Sequence, residues 1–414
     1  MLSRWYTSIL KEKLQRPYVH IVFGARQTGK STLLRSLLPP NTLVINLADP
    51  EERSRHLANT GIFSAACNAL PLTKEPHFVF VDEVQTVPSI FDAVQFLYDE
   101  NKTRWRFVLC GSSARKLRQA GTNMLPGRSF LHRLFPLTLS EHPAPPPFDS
   151  SIHSEVVPFP WPVPGGPSTP FPTETLENRM AFGDLPGPAS ASPKDRVDLL
   201  RSFVHVHLQE EIRREGLVKD WGAFVRFLEM AAAESGQLVN YAGIAQESGL
   251  SNPTVKSHYQ LLQDMFVGFE VPAFSKSPRK AILSMPKFLF FDLGVRHAAA
   301  GLHPSTEIAR IDPGRVFEQW VGIELWKRLQ YLGVGRLCHQ RTKDGAEIDF
   351  IVETPRKLIP IEVKWTERPT LRDAHHLWTF LEENKNAPTG YIVCRCPRPL
   401  QLHEKIKAIP WFAL

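Results

Sequence analysis

The 414-residue chain has no apolar run long enough to span a bilayer, which leaves no candidate transmembrane helix and no expected membrane partner. Its first residues, MLSRWYTSILKEKLQ, lack the apolar core of a signal peptide and read as a short amphipathic helix. Cysteine is scarce: five residues, scattered and odd in number, make no disulfide framework, so a reducing, cytoplasmic setting is expected. Cys394 and Cys396, two apart, are poorly spaced for a metal and read as structural cysteines on a strand. No internal repeat is present. Charge of one sign does not dominate either. A net +7 over this length suits a polyanionic partner such as DNA only if the excess gathers on one face.

What is there is an ordinary globular composition, with 43% hydrophobic and 22% charged residues, on a chain long enough for two to four domains. Proline is concentrated in one place. Residues 143–172, PAPPPFDSSIHSEVVPFPWPVPGGPSTPFP, can neither continue a helix nor supply ladder donors, and read as an extended linker. Before it, the apolar runs VHIVFG, TLVINL, FVFVD and RFVLC alternate with helical segments, the mark of a parallel sheet covered on both faces. After it, helical periodicity dominates residues 195–265. The last hundred residues mix a helix, FEQWVGIELWKRLQYL, with the strands IDFIVE, LIPIEVKW and GYIVCRC. The expected domains are 1–142, 173–300 and 301–414, with 143–172 as the linker.

The most specific motif is Gly24-Ala25-Arg26-Gln27-Thr28-Gly29-Lys30-Ser31, followed by Thr32. It fits G-x4-G-K-[ST] after an apolar strand and at the opening of a helix, the context in which backbone amides and a helix N-terminus cradle phosphates. Lys30 is expected on the β- and γ-phosphates of ATP and Ser31 on Mg²⁺. FVFVD followed by Glu83 delivers two carboxylates to the carboxyl edge of the sheet. Asp82 is assigned to the Mg²⁺ shell and Glu83 to the attacking water. The next strand, RFVLC, ends at Gly111-Ser112-Ser113, where the Ser112 hydroxyl is placed to report on the γ-phosphate. Phosphoryl transfer also needs positive charge at the transition state. Arg128 in LPGRS is the first candidate, acting across an oligomer interface, and Arg133 the second.

Two further constellations lie behind the linker. VNYAGIAQESGLSNPTVKSHYQLLQD reads as two helices joined at Gly249, with Ala245, Leu250 and Val255 as a three-point core. The following FVGFEVPAF, KSPRKAILS and FLFFD suggest a winged arrangement. Lys256, His258, Lys276, Arg279 and Lys280 are its candidate phosphate contacts, although such folds also serve as protein-binding modules. Next, Asp349 precedes Glu362-Val363-Lys364. A hairpin turning about Pro355-Arg356 would set Asp349 opposite Glu362, and the period of a strand would put Lys364 on the same face. Such a pair can bind Mg²⁺ for phosphodiester hydrolysis. Glu318 would complete the metal shell, with Glu324 as substitute. The plain alternative is a cross-strand charge pair with no metal.

Taken together, GARQTGKSTLL, VFVDEVQTVPSIFDAVQFLYD, GSSARKL and LPGRSFLHRLFPLTLSEH resemble the prokaryotic AAA+ ATPases that carry a C-terminal domain of unassigned function. The resemblance continues through AFGDLPG, LQEEIRREGLVKDW, FLFFDLGVRHAAAGL and RTKDGAEIDFIVE…IPIEVKW. It implies an α/β fold: a five-stranded parallel-sheet ATPase domain, a helical and winged-helix region, then a restriction-endonuclease-like α/β domain. The last resembles the PD-(D/E)xK core of restriction endonucleases and junction resolvases. It also implies a ring-forming homo-oligomer, expected to be a hexamer. The functional expectation is an ATP- and Mg²⁺-dependent motor that remodels DNA. A nucleotide-switched regulator with an idle nuclease fold, or an ATP-gated nuclease, stand as alternatives.

Overall fold

The computed structural model describes residues 4–113, 125–146, 170–214, 216, 218–341 and 346–414. These form two compact units, Arg4–Phe135 with Asp264–Phe266, and Pro136–Gln263 with Val267–Leu414.

In the first unit the apolar runs become β1 (Val19–Phe23), β2 (Leu43–Asn46), β3 (His77–Asp82), β4 (Trp105–Gly111) and β5 (Ser129–Arg133). They form one sheet in the order β2-β3-β4-β1-β5 with every pairing parallel. Every residue of β1 is buried, as expected of a strand with helices over both faces. Phe63, Phe91 and Val94 come from the covering helices and pack on Ile21, Phe23, Val79, Val81, Phe107 and Leu109 of the sheet. The chain leaves β1 for the far edge of the sheet, so the carboxyl ends of β1, β3 and β4 open onto one crevice, where α/β sheets bind ligands.

The second compact unit begins at Pro136, close to the boundary expected at 142. Residues following Phe135 bond within the second unit: the Leu137 amide donates to the Asp184 carbonyl (2.8 Å) and the Leu139 amide to Glu324 (2.9 Å). Most of the proline-rich stretch, 147–169, lies outside the described residues.

Residues 173–300 and 301–414 belong to the same compact unit. The reason is the helix Pro313–Leu332, buried along most of its length. On one side its Trp326 stacks on Phe269 at 3.9 Å; on the other its Phe317 and Val321 share a core with Phe350, Val352 and Ile361.

Helices Tyr241–Ser248 and Asn252–Asp264 follow one another through Gly249, whose φ of +74° is the left-handed conformation that ends a helix with least strain in glycine. Ala245 and Val255 are buried as expected; Leu250 is half-buried. Then β6 (Gly268–Val271) pairs antiparallel with β7 (Lys287–Phe290). The final sheet has six strands in the order β12-β13-β11-β10-β9-β8: β8 (Arg336–Arg341), β9 (Glu347–Glu353), β10 (Leu358–Val363), β11 (Gly390–Cys394), β12 (Leu400–His403) and β13 (Ile406–Pro410). β8, β9 and β10 form an antiparallel meander, and β11 joins β10 in parallel. All five cysteines are free and buried, Cys394 at the end of β11 and Cys396 just beyond. Among the described residues no helix is long and apolar enough to cross a membrane.

Candidate nucleotide site and carboxylate centre

The loop after β1 takes its shape from two glycines. Gly24 has φ +157°, and a Cβ there would lie 2.2 Å from the Leu134 carbonyl oxygen; Gly29, at φ +85°, turns the chain into the helix Lys30–Leu37. Gln27 also has positive φ, at 60°. Thr28 Oγ1 donates to the Ala25 carbonyl at 2.9 Å. Lys30 is buried, and its ammonium donates to the carbonyls of Gly24 and Ala25, both at 2.8 Å. Arg26 is half-buried on the loop, while Thr32 on the following helix is exposed. A residue the sequence did not single out holds the loop from behind. Arg4 donates to the Thr28 carbonyl and to the Phe135 carbonyl, each at 2.7 Å.

Ser31 Oγ donates to Asp82 Oδ1 at 2.9 Å, so the hydroxyl and the buried carboxylate converge although 51 residues separate them. Hard oxygen donors of this kind fit Mg²⁺. The next residue, Glu83, has φ 57° and ψ 40°, a left-handed conformation unusual outside glycine; strained backbone of this sort is concentrated at functional sites. Its carboxylate accepts from Gln85 Nε2 at 2.5 Å and from Ser112 Oγ at 3.4 Å, and Gln85 Nε2 also reaches Ser112 Oγ at 3.1 Å. Gln85, like Arg4, was not singled out, yet its position in Asp82-Glu83-Val84-Gln85 put it within reach.

Arg128 is half-buried, and its Nε donates to Asp99 Oδ1 at 2.7 Å; that hydrogen bond raises the guanidinium pKa further. Arg133 lies 5.9 Å from the Phe266 ring.

In the second unit the predicted hairpin register is present. Leu358 pairs with Glu353 and Ile361 with Phe350, which sets Glu362 across from Asp349. Asp349 Oδ2 accepts the Val363 amide at 2.8 Å, and Lys364 Nζ donates to Glu362 Oε2 at 2.8 Å. Glu362 is buried, and its Oε1 has no partner. Burial first, and the nearby Asp349 second, push the Glu362 carboxyl up to about 8. Burial opposes the charge on Lys364, but Glu362 and Asp349 more than reverse it, so its pKa is raised.

Glu318 does not complete a three-carboxylate shell. Lys287, the first residue of β7, donates to its Oε1 at 2.8 Å and also lies 3.0 Å from Glu347 Oε1. Among the described residues no group of three His, Cys, Asp or Glu side chains is set to hold a metal. The Glu318 carboxyl is raised to about 7, first by burial and then by Asp349. Burial works against the Lys287 ammonium, but Glu318, Asp349 and Glu347 outweigh it and its pKa is raised. Glu324, the substitute, is elsewhere: fully buried, it is paired with Lys327 at 3.0 Å and Arg328 at 2.6 Å and caps the Leu139 amide. Its role is to neutralise charge inside the core. Neither Lys287 nor Glu347 carried a local signal that would have marked it.

The candidate DNA contacts divide. Lys256 is exposed, its ammonium 5.3 Å from the Tyr241 ring centroid, and Arg279 is exposed on the short helix Pro278–Leu283. Lys276 is exposed and donates to the Glu383 carbonyl at 2.9 Å. The Lys280 side chain lies outside the described residues. His258 is not a phosphate contact. It is buried between Phe224 and Phe227, 5.0 and 5.2 Å away, and burial lowers its pKa. The apolar face of its helix claims it.

Three family profiles match in succession: an AAA domain over residues 16–142, the domain of unknown function DUF8612 over 173–306, and the domain of unknown function DUF4143 over 313–414. Two relatives, the uncharacterized proteins Mb2031c of Mycobacterium bovis and Rv2008c of Mycobacterium tuberculosis, are each 23% identical over 365 residues, 87% of this chain and 74% of theirs. A solved structure, protein VC1899 from Vibrio cholerae, aligns over 96% of this chain and 95% of its own at 11% identity, but the TM-score of 0.19 carries no argument about the fold. With its parallel five-stranded sheet and phosphate-type loop, the match to residues 16–142 supports a P-loop AAA-type ATPase in this part of the chain.

Proposed function

We propose that this chain couples ATP hydrolysis to the remodelling of DNA, with the second unit holding the DNA and carrying a nuclease-like centre. The observation that carries the reading is the carboxylate pair on adjacent strands. Asp349 lies across from Glu362, Lys364 follows two residues on, and a buried oxygen of Glu362 is left without a partner. An unsatisfied buried acceptor is costly, and a divalent cation held by Asp349 and Glu362 would satisfy it. The meander β8-β9-β10, with β11 parallel to β10 and the helix Pro313–Leu332 preceding it, agrees with the resemblance to the PD-(D/E)xK core. The helix pair and the β6–β7 hairpin agree with a winged helix, with Lys256, Lys276 and Arg279 exposed for phosphates.

In the ATPase unit the loop amides and the start of the helix Lys30–Leu37 would receive the triphosphate. Lys30 would exchange its two loop carbonyls for phosphate oxygens. Ser31 and Asp82 would hold Mg²⁺, which neutralises phosphate charge when bound. Glu83, kept in place by Gln85 and Ser112, would orient the water. Arg128, released from Asp99, would reach the neighbouring subunit of a homo-oligomer, which we take to be a hexamer. In the second unit Lys364 would steady developing negative charge on a phosphodiester while Asp349 and Glu362 hold Mg²⁺.

The test is ATP turnover of the purified chain with branched, linear and single-stranded DNA. Stimulation by at least one form is expected. Turnover unmoved by all of them would overturn the reading and favour a nucleotide-switched regulator.

A further inference from the structure

Lys287 reaches the carboxylate centre from outside the sheet that builds it. Its backbone is fixed on both sides, paired with Val271 in the β6–β7 ladder and bridged to Leu238. Its side chain is buried, with the ammonium 5.8 Å from the Phe350 ring centroid and in contact with Glu318 and Glu347. Among the described residues the other groups facing it add no competing ammonium: His339 is buried, its pKa lowered to about 4 by burial first and by Lys287 second, and Arg341 sits exposed at the end of β8, across from Glu347. By direct contact the carboxylates sort into two groups, with Asp349 between them, since its charge acts on Lys287 and Glu318 as well as on Glu362. Glu318 and Glu347 already share an ammonium. Glu362 has one oxygen on Lys364 and its other oxygen buried without a partner, beside Asp349.

We propose that Lys287 is a built-in cation that occupies the Glu318–Glu347 side of the centre, so that the site takes one divalent ion, at Asp349 and Glu362, and no second. This rests on the nuclease-like reading above. The physical basis is that a primary ammonium fixed between two carboxylates repels a metal ion from the same space, and this ammonium is itself buried, so its loss of both half-buried partners would leave an uncompensated charge away from water. Lys287 is thereby a positioning residue. It holds Glu318 and Glu347 in place and belongs to the hairpin that follows the helix pair, so one strand joins the candidate DNA-holding surface to the carboxylate centre.

The experiment is Mn²⁺ binding to the full-length chain without nucleotide, counted by the paramagnetic resonance of free Mn²⁺. One ion per chain is expected, and none in Asp349→Asn. Lys287→Met, which leaves Glu318 and Glu347 facing one another with no ammonium, is expected to bind two, and Lys287→Arg one. If wild type binds no ion and Asp349→Asn is indistinguishable from it, the nuclease-like reading fails and this inference falls with it. Two ions in wild type, one of them lost in Glu318→Gln, would overturn the inference alone, as would a folded Lys287→Met that still binds one. Should Lys287→Met not fold, anomalous scattering from wild-type crystals grown with Mn²⁺ decides the matter. A single peak at Asp349 and Glu362 supports the proposal, and a peak between Glu318 and Glu347 defeats it.

Discussion

Gln85 donates its amide to Glu83 at 2.5 Å and to Ser112 at 3.1 Å, so one side chain links the tip of β3 to the tip of β4. Hydrogen bonds to charged groups contribute about 1.5–3 kcal/mol, and Gln85→Ala is expected to lower kcat by roughly 10- to 100-fold on that basis. Glu83→Gln should bind ATP yet lose about 10²- to 10⁴-fold in turnover, whereas Lys30→Ala should lose nucleotide binding itself. Steady-state turnover alongside fluorescent-nucleotide binding separates the three. Full activity in Glu83→Gln would remove it from the water-orienting role.

Arg128 is paired with Asp99 within its own chain. If it serves a neighbour, Arg128→Ala should lose about 10³-fold or more in kcat with ATP affinity kept. Mixing it with Glu83→Gln subunits should restore part of the turnover, because some interfaces then pair an intact arginine with an intact glutamate. Mixed rings no faster than either parent would argue against action across an interface.

Under the proposed function, the exposed cations Lys256 and Arg279 and the buried His258 make opposite predictions for DNA. Lys256→Ala and Arg279→Ala should each weaken binding and flatten its salt dependence, by about 0.9 log units per log unit of salt for each duplex phosphate left without its cation. His258→Phe should leave that slope unchanged, since His258 lies among aromatic rings. Anisotropy titrations at several salt concentrations measure both, and an altered slope in His258→Phe would place that ring at the surface after all.

Lys364 is bonded to Glu362 and remote in sequence from the phosphate loop. Under the nuclease-like reading proposed above, Lys364→Ala should stop Mg²⁺-dependent DNA cutting while ATP turnover is retained. Nicking that persists undiminished in this variant would assign the cutting to another source.

Stability of the first unit should depend on pH through two stacked histidines. His20 and His132 lie ring to ring at 5.3 Å, with Tyr6 hydroxyl on His132 at 2.9 Å. Burial lowers their pKa values to about 4 and about 3. Below an unfolded value of about 6.5 the unfolded chain binds protons that the folded unit refuses. The stabilisation is thus complete above about pH 6.5 and declines towards pH 4, by about 1.4 kcal/mol per pH unit for each ring. Urea denaturation across this range should show the decline, and the double variant His20→Gln, His132→Gln should show a shallower one. Equal slopes would mean the rings are not the titrating groups.

The nucleotide site was legible because its parts are contiguous or end adjacent strands. A loop of eight residues needs glycine where φ is positive and lysine where phosphate charge gathers, and Asp82 and Glu83 follow an unmistakable apolar strand. The Asp349–Glu362 pairing was legible for a related reason: a short hairpin fixes its own register. The position of Glu318 beside Lys287 and the burial of His258 were not legible, because each depends on which faces of distant elements meet.

The sequence by itself determined the phosphate loop, the acidic strand tip, the parallel sheet and the hairpin register, since all of these follow from local backbone preferences and periods of a few residues. Only the tertiary structure decided that Lys287 occupies Glu318, that Glu324 is spent on Lys327 and Arg328, and that Arg4 and Gln85 brace the ATPase site. Those pairings join residues far apart in sequence or set by a turn's exact shape, and nothing but the packing of the folded chain brings their charges within reach.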